Sequence, residues 1–242
     1  MARPATAVAP SVNRKEVGSV TAILVALTIA VFLAVDYLHD RRRARALAPA
    51  RRALDEALDP DMFLHPDGLF YGAGHTWARL EPNGTVRVGI DDFARRLLGR
   101  IDRIEVPPAG TKLGPRDAAL VVHQRDKSAA FASPVEGFVS AVNDAALRDP
   151  ASLRGDLFGS GWLLQLEPRR LADNLRRLRV GDEARGWLRE EVARLRDFLA
   201  GQSMASAVGA TLQDGGVPVD GLLEHLDEQA WERFESEFLA PS

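Results

Sequence analysis

The side chains of this 242-residue chain that can do chemistry are few and scattered. Cysteine is absent, which excludes thiolate nucleophiles, disulfides and thiolate-ligated metal. The five histidines, His39, His65, His75, His123 and His225, show neither HxH nor HExxH spacing, so no metal site is expected. Gly-x-Ser-x-Gly, Walker and dinucleotide fingerprints are missing, and Gly72-Ala73-Gly74 does not lead from a strand into a helix as a phosphate cradle does. Reactive residue types crowd at one place, Asp126-Lys127-Ser128, a turn between two short apolar stretches. His123 lies just before it. His123 and Asp126 together would make a polar site, although they identify no substrate. Lys127 offers an amine. No catalytic residue is assigned, and the chain is not expected to be an enzyme.

The elements that must position this turn are β-rich. Residues 76–80 and 86–90 read as strands around Glu81-Pro82-Asn83-Gly84-Thr85, whose Asn-Gly supplies turn geometry. Asp91 is placed to cap a short helix over 92–98 that stops at Gly99. Further strands are expected at 101–106, 118–125, 129–131, 138–142 and 162–166, separated by glycine and proline. From Asp182 the period changes. Ala184, Leu188, Val192, Leu195 and Leu199 mark an amphipathic helix with an arginine-rich far side. A small-residue linker at 201–219 precedes a last acidic helix within 220–242. Its stripe is Leu223, Leu226, Ala230, Phe234 and Phe238, with Trp231 beside it.

The formal net charge of -3 gives no global basic field, so no nucleic-acid partner is expected. Charge is instead segregated into blocks. Nine arginines lie between Arg169 and Arg196, while eight acidic residues follow from Asp214 onward against Arg233 alone. Such blocks are the solvated faces of helices, pair with each other within the molecule, or dock a protein partner. Residues 18–35 carry no charge and are followed by Tyr37, Arg41, Arg42 and Arg43. A flank at 1–17, a transmembrane anchor over 18–38 and a juxtamembrane helix and linker over 39–68 are therefore expected. The arginines place the chain in the inner (plasma) membrane as a single pass with a cytoplasmic body, the membrane being one of its partners.

Several fragments fall in a consistent order: His75-Thr76-Trp77, Gly89-Ile90-Asp91-Asp92-Phe93-Ala94, Leu98-Gly99-Arg100-Ile101 and Pro107 through Gly114. Ser133-Pro134-Val135-Glu136-Gly137, Val142-Asn143, Leu147, Asp149-Pro150, Leu153 and Phe158-Gly159-Ser160-Gly161-Trp162-Leu163 continue it, with Pro168 beyond. In this order and spacing the chain resembles the H protein of the glycine cleavage system, over about 69–200. The resemblance implies a mainly β fold, a flattened barrel-sandwich hybrid; the N-terminal transmembrane helix and the acidic C-terminal helix expected from the residues lie outside the family pattern. The resemblance also implies a carrier rather than a catalyst. Such proteins hold lipoate on a hairpin lysine and pass an aminomethyl group between partner enzymes, and the tether raises the effective concentration of the arm at each site.

The chain departs from that pattern at the attachment position. Counting back from Ser133-Pro134, the family's lysine falls on Asp126, its preceding glutamate on His123, and Lys127 comes one residue later. A carboxylate cannot form the lipoyl amide, and a one-residue displacement on a strand turns a side chain to the other face. The leading expectation is a non-catalytic docking or scaffold module without a cofactor, binding protein partners through the hairpin side, the arginine face or the acidic tail. The alternative is a lipoyl carrier of aminomethyl groups or electrons using Lys127.

Overall fold

The computed structural model describes residues 27–29, 31–38, 41–42, 55, 58–114, 117–201 and 220–239. The chain divides into two units, Met1–Pro49 and Ala50–Ser242. In the first, the described residues 27–29 and 31–38 are helical and exposed. The rest of the expected anchor, and nearly all of the expected juxtamembrane helix, lie outside the described residues. Among the described residues no helix is long and apolar enough to cross a membrane. The expected inner-membrane placement with a cytoplasmic body is overturned by that finding, and a membrane partnership is not shown.

The second unit is mainly β. Its strands are β1 (Phe70–Tyr71), β2 (Thr76–Leu80), β3 (Val86–Ile90), β4 (Arg103–Glu105), β5 (Lys112–Leu113), β6 (Ala118–Gln124), β7 (Lys127–Ala132), β8 (Gly137–Val142) and β9 (Leu164–Pro168). They form a six-stranded sheet in the order β1-β2-β3-β9-β8-β5 and a three-stranded sheet in the order β4-β6-β7. Every pairing is antiparallel. Residues 76–80 and 86–90 are strands as the alternation requires. Their turn closes by Glu81 N–H to Thr85 O at 2.8 Å and Gly84 N–H to Glu81 O at 2.9 Å. The two-residue strands β1 and β5 are too short to carry a periodic signal in sequence.

Among the described residues the named α-helices of this unit are α1 (Asp92–Leu98), α2 (Asp144–Arg148), α3 (Leu171–Leu175), α4 (Gly181–Gly201) and α5 (Glu228–Phe234). The α4 stripe of Ala184, Leu188, Val192, Leu195 and Leu199 is buried throughout. The acidic tail differs from the single helix expected. It consists of a 3-10 turn (Leu222–His225), α5, and a π turn (Glu235–Leu239). Leu226 is extended (φ -68, ψ 140), and the Asp227 side chain restarts the helix by accepting the Ala230 N–H. Leu222, Leu223, Leu226, Trp231, Phe234 and Phe238 enter the main core beside Phe93, Phe131 and Leu195.

A buried charge network joins this core to the sheets. Asp91 caps α1 through Oδ1, which accepts the Ala94 N–H at 2.8 Å. Its Oδ2 lies 2.8 Å from Nδ1 of His75, which is wholly buried. The imidazole stacks on Phe93 at 4.3 Å. Its Nε2 sits 3.9 Å from Glu191 Oε2, an ion-pair distance too long for a hydrogen bond. Arg194 then pairs with Glu191 at 2.7 Å and donates to Glu237 O at 2.7 Å, reaching the tail. Burial alone would lower the His75 pKa, but Asp91 and then Glu191 outweigh it and hold the imidazolium up to about 9.

Two predictions follow from these contacts. A folded-state pKa raised from 6.5 to about 9 contributes roughly 3 kcal/mol at ~1.4 kcal/mol per pH unit. This contribution is complete below pH 6.5 and is lost as pH rises through about 9. Urea denaturation between those pH values is expected to show falling stability in the wild type and a flatter profile in His75→Gln. The second concerns Gly99, which has φ 72 and leaves only 2.3 Å between a built Cβ and the Gly221 Cα. Gly99→Ala is expected to cost about 1–3 kcal/mol from its backbone conformation, with further loss from the clash, read from the same denaturation midpoint.

Candidate functional site

The hairpin between β6 and β7 turns in two residues. Gln124 pairs with Lys127 and His123 with Ser128, which leaves Arg125 and Asp126 at the apex. Arg125 takes φ 54, as a two-residue hairpin loop requires of at least one residue. A non-glycine residue holds this conformation because its surroundings fix it. The Arg125 N–H donates to Asp102 Oδ2 at 2.7 Å, and Gln124 Nε2 donates to Arg100 O at 2.9 Å and to Leu98 O. The Arg125 N–H bond, with the Arg100 guanidinium, holds the Asp102 carboxyl below the usual range against the opposing effect of desolvation. The neck of the hairpin is thus clamped by the segment that follows α1.

Asp126 is exposed at the apex, and among the described residues no hydrogen-bond or ion-pair partner reaches it. His123 does not join it. Its Nε2 lies 3.3 Å from Glu105 Oε1 and 3.4 Å from Arg103 Nη2, both on β4. The register explains this pairing, because β4 sets Arg103 directly opposite His123. The structure therefore does not assemble the His123–Asp126 pair.

Lys127 opens β7 and points the other way, into the tail. Its ammonium donates to Leu226 O and lies 5.4 Å from the Trp231 ring centroid, a cation–π distance. The half-buried lysine is flanked by two more contacts from the same segment. Trp231 Nε1 donates to Ser128 O at 3.0 Å, and Glu235 Oε1 accepts the Ala130 N–H at 3.0 Å. β7 is the edge of its sheet, and these side chains satisfy backbone groups that an edge leaves open. Further along, Arg100 N–H donates to Glu224 Oε1 at 3.0 Å, and Arg125 Nη2 lies 3.4 Å from Glu224 Oε2. The tail is the part of this site that local periodicity did not reveal. Trp231 standing just off its apolar stripe is the one sequence signal that pointed to it.

The residues present do not fit the lipoyl group that the family resemblance implies. The apex position holds a carboxylate, and the adjacent amine is engaged by a carbonyl and an aromatic face. Among the described residues no group of three or more His, Asp or Glu is arranged to hold a metal ion. Two clefts lie nearby. The larger, about 370 Å³, is bounded by Arg95, Arg100, Asp102, Asp149 and Arg154. A second, of about 280 Å³, is bounded by Phe63, His65 and Arg185. Neither includes Lys127 or Asp126.

Comparison with known proteins accounts for this β-unit. Residues 69–191 match the family described as "Glycine cleavage H-protein". The glycine cleavage system H protein of Psychrobacter cryohalolentis is 37% identical over 108 residues, covering 45% of this chain and 86% of that protein. The H protein of Neisseria meningitidis serogroup B is 38% identical over 108 residues, covering 45% of this chain and 84% of the relative. That of Salinibacter ruber is 39% identical over 102 residues, covering 42% and 82%. A crystal structure of an H protein from Mycobacterium marinum is 28% identical with a TM-score of 0.46, covering 51% of this chain and 98% of that one. With more than half its residues matching the family and a β-unit that spans most of its relatives' length, this chain belongs to the glycine cleavage H-protein family.

Proposed function

We propose that this member of the H-protein family is a non-catalytic docking module whose hairpin carries no lipoyl arm. The observation that supports the reading is the capture of Lys127. An amine that serves as an attachment point for a swinging arm must project into solvent, where a ligase can reach it. Here it donates to Leu226 O under the Trp231 ring. Asp126 takes the projecting position and cannot form the amide. What the family fold supplies is a rigid β-unit that presents a shaped surface, and recognition by such a surface needs no covalent group.

Family membership favours a second reading, in which Lys127 is the attachment point displaced by one residue and the chain is a lipoyl carrier. It requires the tail to release the ammonium before modification. Intact-mass measurement of the full chain, purified from its native cell grown with lipoate, separates the two. An unmodified mass is expected. A mass increase of one lipoyl group mapped to Lys127 sinks the docking reading in favour of the carrier.

A further inference from the structure

We propose that the face formed by the β7 edge and the end of α1 is a docking groove for an acidic amphipathic helix of a partner protein. Residues 220–239 of this chain would occupy that groove as a cis ligand which the partner displaces. The inference deepens the docking reading above and rests on it, since it names the surface used and how it is kept closed.

The occupant itself defines the chemistry of the groove. Its contacts pair acidic or apolar groups of the tail with cationic, donor or apolar groups of the body. Asp220 faces Arg95 and Arg96 at 3.8 and 3.7 Å. Glu224 meets Arg100 N–H and Arg125, and Glu235 accepts from Ala130. Trp231 is held twice, by its N–H on Ser128 O and by its face against the Lys127 ammonium. Phe234 and Phe238 stack at 4.8 Å and insert between Phe198 and the body. A ligand of this groove therefore needs a tryptophan, a phenylalanine three residues on and a carboxylate four residues on, within an acidic helix. Such an aromatic anchor with an acidic rim is typical of helix-in-groove recognition.

The way the tail is attached suits exchange. Its three pieces, Leu222–His225, Glu228–Phe234 and Glu235–Leu239, are each far shorter than the ~12–15 residues at which isolated helices become even marginal in water. The segment therefore keeps its shape only while docked. It adds no strand to β7, because the edge groups at Ser128 and Ala130 are met by side chains, which a second ligand can supply equally well. Its outward face carries the exposed acids Glu228, Glu232 and Glu237, so the tail also screens the cationic groups it covers.

The test uses the full chain and a dye-labelled synthetic peptide of residues 220–239 as probe. Trp231→Ala weakens the cis ligand and leaves the groove intact. Retained hydrogen-exchange protection of the β2–β3 amides would establish that it is folded. The variant is expected to bind the peptide about tenfold or more tightly than the wild type does. A peptide with both Trp231 and Glu235 replaced by alanine is expected not to bind. If Trp231→Ala does not fold, Glu235→Ala, which removes the acceptor for the Ala130 N–H, takes its place.

Amine acylation read by mass spectrometry gives a second measure. Lys127 should react more slowly than exposed Lys112 in the wild type, and the two rates should converge in the variant. Equal peptide affinity in wild type and folded variant overturns the proposal. So does a concentration-dependent wild-type dimer with the tails exchanged, which would make a second copy the occupant. A lipoyl group on Lys127 would sink the docking reading by a different readout, without altering the peptide result.

Discussion

The Lys127 ammonium sits where two demands meet. A hairpin with a two-residue turn has few places to put a long cationic side chain, and β7, as a sheet edge, has open backbone groups beside it. The tail answers both at once. The carbonyl of Leu226 and the ring of Trp231 engage the ammonium, while the Trp231 N–H and Glu235 close the edge at Ser128 and Ala130. Taking away this contact would expose apolar residues that now form one core with α1 and α4.

The same core explains why a buried charged chain is tolerated. Asp91, His75, Glu191 and Arg194 run from the start of β2 through α4 to the tail, and each is held by the next. Removing one member of such a chain leaves its neighbour's charge buried and unpaired, which costs more than the pair contributes when intact. Asp91 has two duties, helix cap and histidine partner, which ties the entry of α1 to the entry of β2. Arg194 thus links the tail by side-chain contacts to Glu191, which faces the buried His75–Asp91 pair.

In the proposed reading, the position counted back from Ser133-Pro134 as the attachment point holds an acid, Asp126, and the nearby Lys127 amine is turned toward the tail. Both changes act in the same direction. Negative charge at a solvated apex costs little, whereas an amine against an aromatic face and a carbonyl exchanges hydration for fixed contacts. The fold remains a platform of two antiparallel sheets.

The strands β2 and β3, the capped α1, the β6–β7 hairpin and the stripe of α4 were all legible in the chain, because alternation, turn residues and helical period are local signals. Counting back from Ser133-Pro134 also leads to the expectation that Asp126 falls where the family's lysine stands. Strand register alone allowed Lys127 to face either way. Tertiary structure decided that it meets Leu226, a residue 99 positions away, and that His123 turns to Glu105 instead of Asp126. It also broke the expected acidic helix into three pieces, since Leu226 must extend to bring its carbonyl to the amine. No local period encodes contacts across such separations. They follow from which surfaces the chain has left to bury once its sheets have formed.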